Sequence, residues 1–216
     1  MIVVVGNPVL RRPAGSEGEA RAVGAAVAVA LAASKAGSAV QLVGRVGDDA
    51  EGDAIILALG RDDVGHVALL RDPARPTPVV AEAGDTAGPI SDEATPPIPK
   101  TGPELEAADV DLALRYLTDF RVIVVAADVP DDVAVAAAGA ADWTGASPVV
   151  LVAEGGEPPL GLPERAIVLT SPAGDDDGAF PALVGEYAAA IDRGEDPASA
   201  FQTLVVRLGW EPAAIE

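Results

Sequence analysis

Three consecutive carboxylates, Asp175, Asp176 and Asp177, follow Ala173-Gly174 and precede a run of helical composition from Phe180 to Ile191. The triplet can complement a helix dipole or offer oxygen ligands to a hard cation. It lacks the spaced ligand pattern of a metal loop, so capping or a solvated turn is the weightier reading and no metal site is expected. His66 is the only histidine, sits at the start of an expected strand, and has no acid or nucleophile near it in sequence. None of the serines lies in a Gly-x-Ser-x-Gly elbow, and neither a Walker A loop nor Gly-x-Gly-x-x-Gly occurs. Gly155-Gly156 could approach a ligand, but Pro158-Pro159 make a rigid loop the better reading.

These residues have to be positioned by alternating strands and helices. Ile2 to Val5 is a β-branched run ending at Gly6, as a buried parallel strand requires. Arg11 to Glu19 reads as loop, Ala20 to Ala36 as a buried helix and Ala39 to Val43 as a strand. Asp48 or Asp49 is placed to cap a helix whose inward face is Ile55, Ile56 and Leu59. His66 to Leu70 and Thr77 to Ala83 predict short strands, giving a small β lid within residues 66–83. The stretch 84–103 holds five prolines and reads as an exposed loop. Beyond it come helix 105–117, strand 122–126, helix 131–143, strands 149–152 and 166–169, and helices near 180–191 and 197–208. This order predicts one α/β domain over residues 1–216, a mostly parallel sheet flanked by helices with a small β lid excursion.

Composition bounds the partners. The 216 residues are 50% hydrophobic but only 3% aromatic, so alanine-rich helices should pack on valine-rich strands, with Trp143 and Trp210 as anchors. A net charge of −20 argues against nucleic acid and anionic membranes, since no basic stripe exists to replace phosphate counterions. With no cysteine, thiolate chemistry is excluded. Neither a signal-peptide pattern nor a run long enough to span a bilayer is seen, so a soluble cytoplasmic protein is expected.

VQLVGRVGDDAEGDAIILALGRDDV, residues 40–64, resembles a segment of the ribokinase-like (PfkB) carbohydrate kinases, with Gly44, Gly47, Asp48, Asp49 and Gly52 in register. The resemblance covers Met1 to Ala126 well and the remainder loosely. GNPVLR, Gly6 to Arg11, is similar to the family's Gly-Asn-Pro-x-x-Asp, whose final aspartate holds substrate hydroxyls; Arg11 stands at that position. Val23-Gly24 matches a Gly-Gly pair, and Ala28 stands where the family has an asparagine. Pro76-Thr77-Pro78 resembles the start of a lid strand. Near the C-terminus, Ala173-Gly174-Asp175 fits the family's Gly-Ala-Gly-Asp with Pro172 for its first glycine, while a second register places RAIVLTS (residues 165–171) before the family's Asn-Glu motif.

The resemblance implies a ribokinase-like fold and transfer of an ATP γ-phosphoryl group, with Mg²⁺, to a sugar or nucleoside hydroxyl. Asp175 would be the base, Ala173 and Gly174 the anion hole, and Asn7, Arg11 and Gly24 the acceptor site. Arg11 would suit an acceptor already bearing phosphate or carboxylate. The departures at Arg11, Val23 and Ala28 imply degraded or lost activity. The alternative is a non-catalytic ligand-binding or assembly protein on the same fold, with a homodimer through the β lid.

Overall fold

Strand β1 (Ile2–Val5) is buried along its whole length, which is why its sequence is an unbroken apolar run rather than an alternating one. In the computed structural model, which describes residues 1–13, 19–81, 102–175 and 179–207, β1 lies mid-sheet between β4 (Val40–Gly47) and β7 (Val122–Val125). Both pairings are parallel and put Val4 level with Leu42 and Val124. β5 (Val64–Asp72) extends the sheet beyond β4, and β8 (Ser147–Val152) and β9 (Ile167–Thr170) extend it beyond β7, all in parallel.

Alternate side chains of β1 enter two separate cores. Ile2 and Val4 pack with α1 (Ala25–Lys35), α2 (Ala50–Arg61) and α5 (Ala179–Asp192); Val3 and Val5 pack with α3 (Ala107–Leu114) and α4 (Asp131–Thr144). α1 and α5 approach closely because Gly185 faces α1: a Cβ there would lie 2.8 Å from the Ala32 methyl. α6 (Pro197–Arg207) closes on α5 through an edge-on Tyr187–Phe201 pair with centroids 6.4 Å apart. No helix among the described residues is long and apolar enough to cross a membrane.

A second sheet stands above the first, in the order β3 (Arg21–Val23), β2 (Val9–Arg12), β6 (Val79–Ala81). Here the sequence expectation needs correction. The predicted strand His66 to Leu70 is not in the lid; it is the middle of β5, the edge strand of the main sheet. Its lid place is taken by β2 and β3, formed from residues expected as loop and as the first turn of a helix. Gly24, at φ 118°, interrupts the apolar run and delays α1 to Ala25. Periodicity reports that a segment is extended, but which sheet it joins is fixed by partners distant in sequence. Trp143 is a second correction: it is 94% exposed at the end of α4 and anchors no core. Trp210, Asp176, Asp177 and most of the 84–103 stretch lie outside the described residues.

Candidate ligand-binding crevice

The connections on either side of β1 run over opposite faces. β1 reaches β4 through α1 on one face, whereas the chain arrives at β7 from α3 on the other. Strand order therefore reverses between β1 and β7, and open α/β sheets bind ligands in the crevice outside the carboxyl ends at such a point. Gly6 and Asn7 leave β1 there, and Ala126, Ala127 and Asp128 leave β7. Gly6 permits the close approach of three elements, since a Cβ would lie 2.7 Å from the Ala26 methyl and 2.9 Å from that of Ala126.

Asn7 is bonded on both ends of its amide. Its Nδ2 donates to the Pro103 carbonyl at 2.7 Å, and its Oδ1 accepts the Arg45 N–H at 2.8 Å. One side chain thus ties β1 to β4 and to the segment that leads into α3. Gly24 stands beside it, a Cβ there lying 3.6 Å from the Asn7 carbonyl, and starts α1 without any side-chain cap. The structure therefore brings Asn7 and Gly24 together at the crevice. Arg11 stands farther up β2, half-buried, paired across the hairpin with Arg21.

Sequence reasoning passed over Asp128. Its carboxylate oxygen lies 3.8 Å from the point a Gly6 Cβ would occupy, over the mouth of the crevice. One side of the residue is open to water, but the protein around it desolvates the charge. That desolvation raises its carboxyl pKa, and its own backbone N–H offsets the rise only in part. The legible signal was positional: a lone acid directly beyond the carboxyl end of the strand VIVV.

The lid is locked to the sheet by the glycine-aspartate turn between β4 and α2. Asp49 caps α2 by accepting the Gly52 N–H at 2.8 Å, and it also accepts the Thr77 N–H at 2.8 Å and the Thr77 hydroxyl at 2.7 Å. The Thr77 oxygen in turn accepts the Gly47 N–H at 2.8 Å. Burial pushes the Asp49 carboxyl up, but these three bonds and the Arg71 charge outweigh it and leave the pKa below its ordinary value. Alongside, Arg45 bonds Asp109 at 2.8 Å, with Asp72 and Glu106 at 4.0 Å. The Asp109 hydrogen bond, opposed by burial and supported by the three carboxylates, raises the guanidinium pKa further.

Ala173, Gly174 and Asp175 occupy the loop from β9 to α5. Gly174 has φ 79°, and Asp175 Oδ1 accepts the Phe180 N–H at 3.0 Å in the first turn of α5. α1 and α5 lie side by side and both begin at the carboxyl edge of the sheet, so this loop and Gly24 share that edge. No group of three or more histidine, aspartate or glutamate side chains is arranged to hold a metal among the described residues. His66 Nδ1 lies 3.5 Å from the Val64 carbonyl. A groove of about 750 Å³ runs along the outside of α1, α5 and α6, lined by residues such as Ala28, Ala32, Leu183 and Thr203.

Residues 5–157 match the sequence profile described as pfkB family carbohydrate kinase. The chain belongs to that family. Solved structures agree on the fold. A PfkB protein from Polaromonas sp. JS666 is 16% identical with a TM-score of 0.67, over 95% of this chain and 92% of that one. Arabidopsis thaliana ribokinase, solved with ribose and ATP, is 17% identical with a TM-score of 0.63, over 94% and 89%. The E. coli protein described as ribokinase II, in complex with ATP and Mg²⁺, is 14% identical with a TM-score of 0.64, over 94% and 89%. No curated protein shows significant similarity to the sequence. The PfkB chain thus has the ribokinase-like α/β fold, its mostly parallel sheet flanked by helices.

Proposed function

We propose that this PfkB chain is a carbohydrate-kinase homologue that keeps the acceptor crevice and has lost most or all phosphoryl transfer. The observation that carries this reading is the state of Asp175. Its Oδ1 is engaged by the Phe180 N–H, so the candidate base acts as a helix cap. The cap takes up one of the two carboxylate oxygens and leaves only Oδ2 to meet a substrate hydroxyl. A further observation supports the reading. β9 is the last strand of the sheet among the described residues, and two helices follow it.

On this reading Asn7, Gly24 and Arg11 line the acceptor end, one 1–216 domain carries the site, and the ligand is a small hydroxylated molecule. Gly174 and Ala173 form a turn rather than a phosphate cradle. Pairing of two copies through the lid edges β3 and β6 belongs to the same proposal, and a monomer in sedimentation equilibrium would remove that part.

Isothermal titration with Mg-ATP, together with a phosphorylation screen of sugars and nucleosides, tests the core of it. The expected result is no turnover above background, identical for wild type and Asp175→Asn. Turnover that Asp175→Asn abolishes would establish the competing reading, a working kinase with Asp175 as base.

A further inference from the structure

Arg11 and Arg21 are direct cross-strand partners in the β2–β3 hairpin. Residues so paired share one face with Cβ atoms about 4.5–5.5 Å apart, and like charges there are unfavourable. The setting makes the pair unusual. The chain has 34 acidic residues against 14 basic ones, so an arginine without a carboxylate is the exception. Arg12, Arg45, Arg61, Arg71, Arg75, Arg165 and Arg193 are each ion-paired with an aspartate or glutamate. Arg121 bonds the Asp192 carbonyl. Among the arginines whose side chains are described, which leaves out Arg207, only Arg11, Arg21 and Arg115 have neither an ion pair nor a hydrogen bond, and two of the three stand opposite each other.

The hairpin is tied to the crevice at both ends. β2 starts two residues after Asn7, and β3 ends at Val23, next to Gly24. Val9 and Val23 form the pair nearest the crevice, and Arg11 with Arg21 lies two residues farther along the same face, roughly 7 Å up the strands. The opposite face is occupied: Leu10 and Ala22 belong to the core shared with α1 and α2, and Arg12 pairs with Glu51 of α2. The arginine face is therefore the one turned from that core, and an anion held there would sit above Asn7 and Gly24.

We infer that Arg11 and Arg21 form a two-guanidinium clamp for an oxyanion carried by the crevice ligand, so that the ligand is an acidic sugar derivative, a phosphate monoester or a carboxylate, rather than a neutral sugar. Two planar guanidiniums match either oxyanion in bidentate fashion, and a bound anion cancels the repulsion between them. The inference rests on the proposed crevice reading, but it is read out by binding, not by turnover.

Titration calorimetry with ribose 5-phosphate, gluconate, ribose and inorganic phosphate tests it, using the full chain and the variants Arg11→Gln, Arg21→Gln and Arg115→Gln. The wild type is expected to bind ribose 5-phosphate or gluconate at least about tenfold more tightly than ribose, and which of the two identifies the oxyanion. Arg11→Gln and Arg21→Gln should each erase that preference while Arg115→Gln keeps it. Thermal melts give a second readout: without anion the two clamp variants should melt at or above wild type, and phosphate should raise the wild-type midpoint more than theirs. Equal binding of ribose and its acidic derivatives, failure of both acidic probes to bind, or an anion preference that survives in both clamp variants would overturn the clamp. Detection of Mg-ATP turnover would overturn the loss of catalysis and leave the clamp standing.

Discussion

Two strand-to-helix turns in this protein are written in the same residues, glycine and aspartate, yet they are built differently. In the β4–α2 turn, Asp49 makes three hydrogen bonds that reach from its own helix to the lid. Its glycine has no spare room: a Cβ on Gly47 would lie 2.5 Å from Asp49 Oδ2 and 2.6 Å from the Thr77 nitrogen. In the β9–α5 turn, among the described residues, Asp175 makes one bond, to its own helix, and a Cβ on Gly174 would meet nothing within 4 Å. The first turn is over-determined by its surroundings, whereas the described residues of the second are held by that one bond and by their own backbone. Constraint from several directions marks the part of the PfkB scaffold this chain keeps. Its absence marks the place where phosphoryl-transfer chemistry is expected in the family and is missing here by our proposal.

The difference can be tested by substitution, in order of expected effect. Gly47→Ala should be the most damaging, about 3 kcal/mol by urea denaturation, because backbone and carboxylate on both sides would have to move. A loss under about 1 kcal/mol would show that the lock is loose. Asp49→Ala should cost about 2 kcal/mol by removing the α2 cap and leaving Thr77 unsatisfied. Because the folded Asp49 carboxyl lies below its ordinary value of 3.8, its contribution is fully present above that value and is lost as pH falls through the lower folded one. The gap between wild type and Asp49→Ala should therefore narrow in acid, and a gap that is constant with pH would refute the ionic share of the lock.

Smaller effects are expected at the other turn and at the crevice mouth. Gly174→Ala meets only the left-handed backbone cost, about 1 kcal/mol, a third of the Gly47 effect. Equal losses at the two glycines would erase the contrast between the turns. Asp128→Asn should change stability in the opposite sense to Asp49. Its folded pKa is raised, so the charged form is penalised above that value, and the neutral amide should be slightly stabilising near pH 7. That gain should vanish as pH falls toward the ordinary carboxylate value. Destabilisation by Asp128→Asn at pH 7 would mean the carboxylate has a partner beyond those described.

Much of the fold could be read from the chain because it rests on local rules. The β-branched run of β1, the capping aspartate before α2 and the alternation of strands with helices each have a periodicity or a turn chemistry of their own. The lid could not be read in the same way. Residues 66–70 look like a lid strand and are an edge strand, while Arg11, Arg12 and Arg21–Val23 look like loop or helix and are lid strands. Strand partners that are distant in sequence leave no local trace. At the site, Asn7 and Gly24 were identified from the resemblance and do lie together; Asp128 and Arg21 were missed because each is an ordinary residue until the topology gives it neighbours.

By itself, the sequence determined the family, the parallel α/β scaffold, a cap for α2 at Asp48 or Asp49 and the acidity of the chain, since these follow from composition, local dihedral preferences and matched motif residues. Only the tertiary structure decided that the strand order reverses between β1 and β7, that Asp175 bonds its own helix, and that Arg11 stands opposite Arg21. Each of those depends on which distant segments are brought to the carboxyl edge of one sheet. Chain connectivity permits many such arrangements, and the burial of both faces of β1 selects among them.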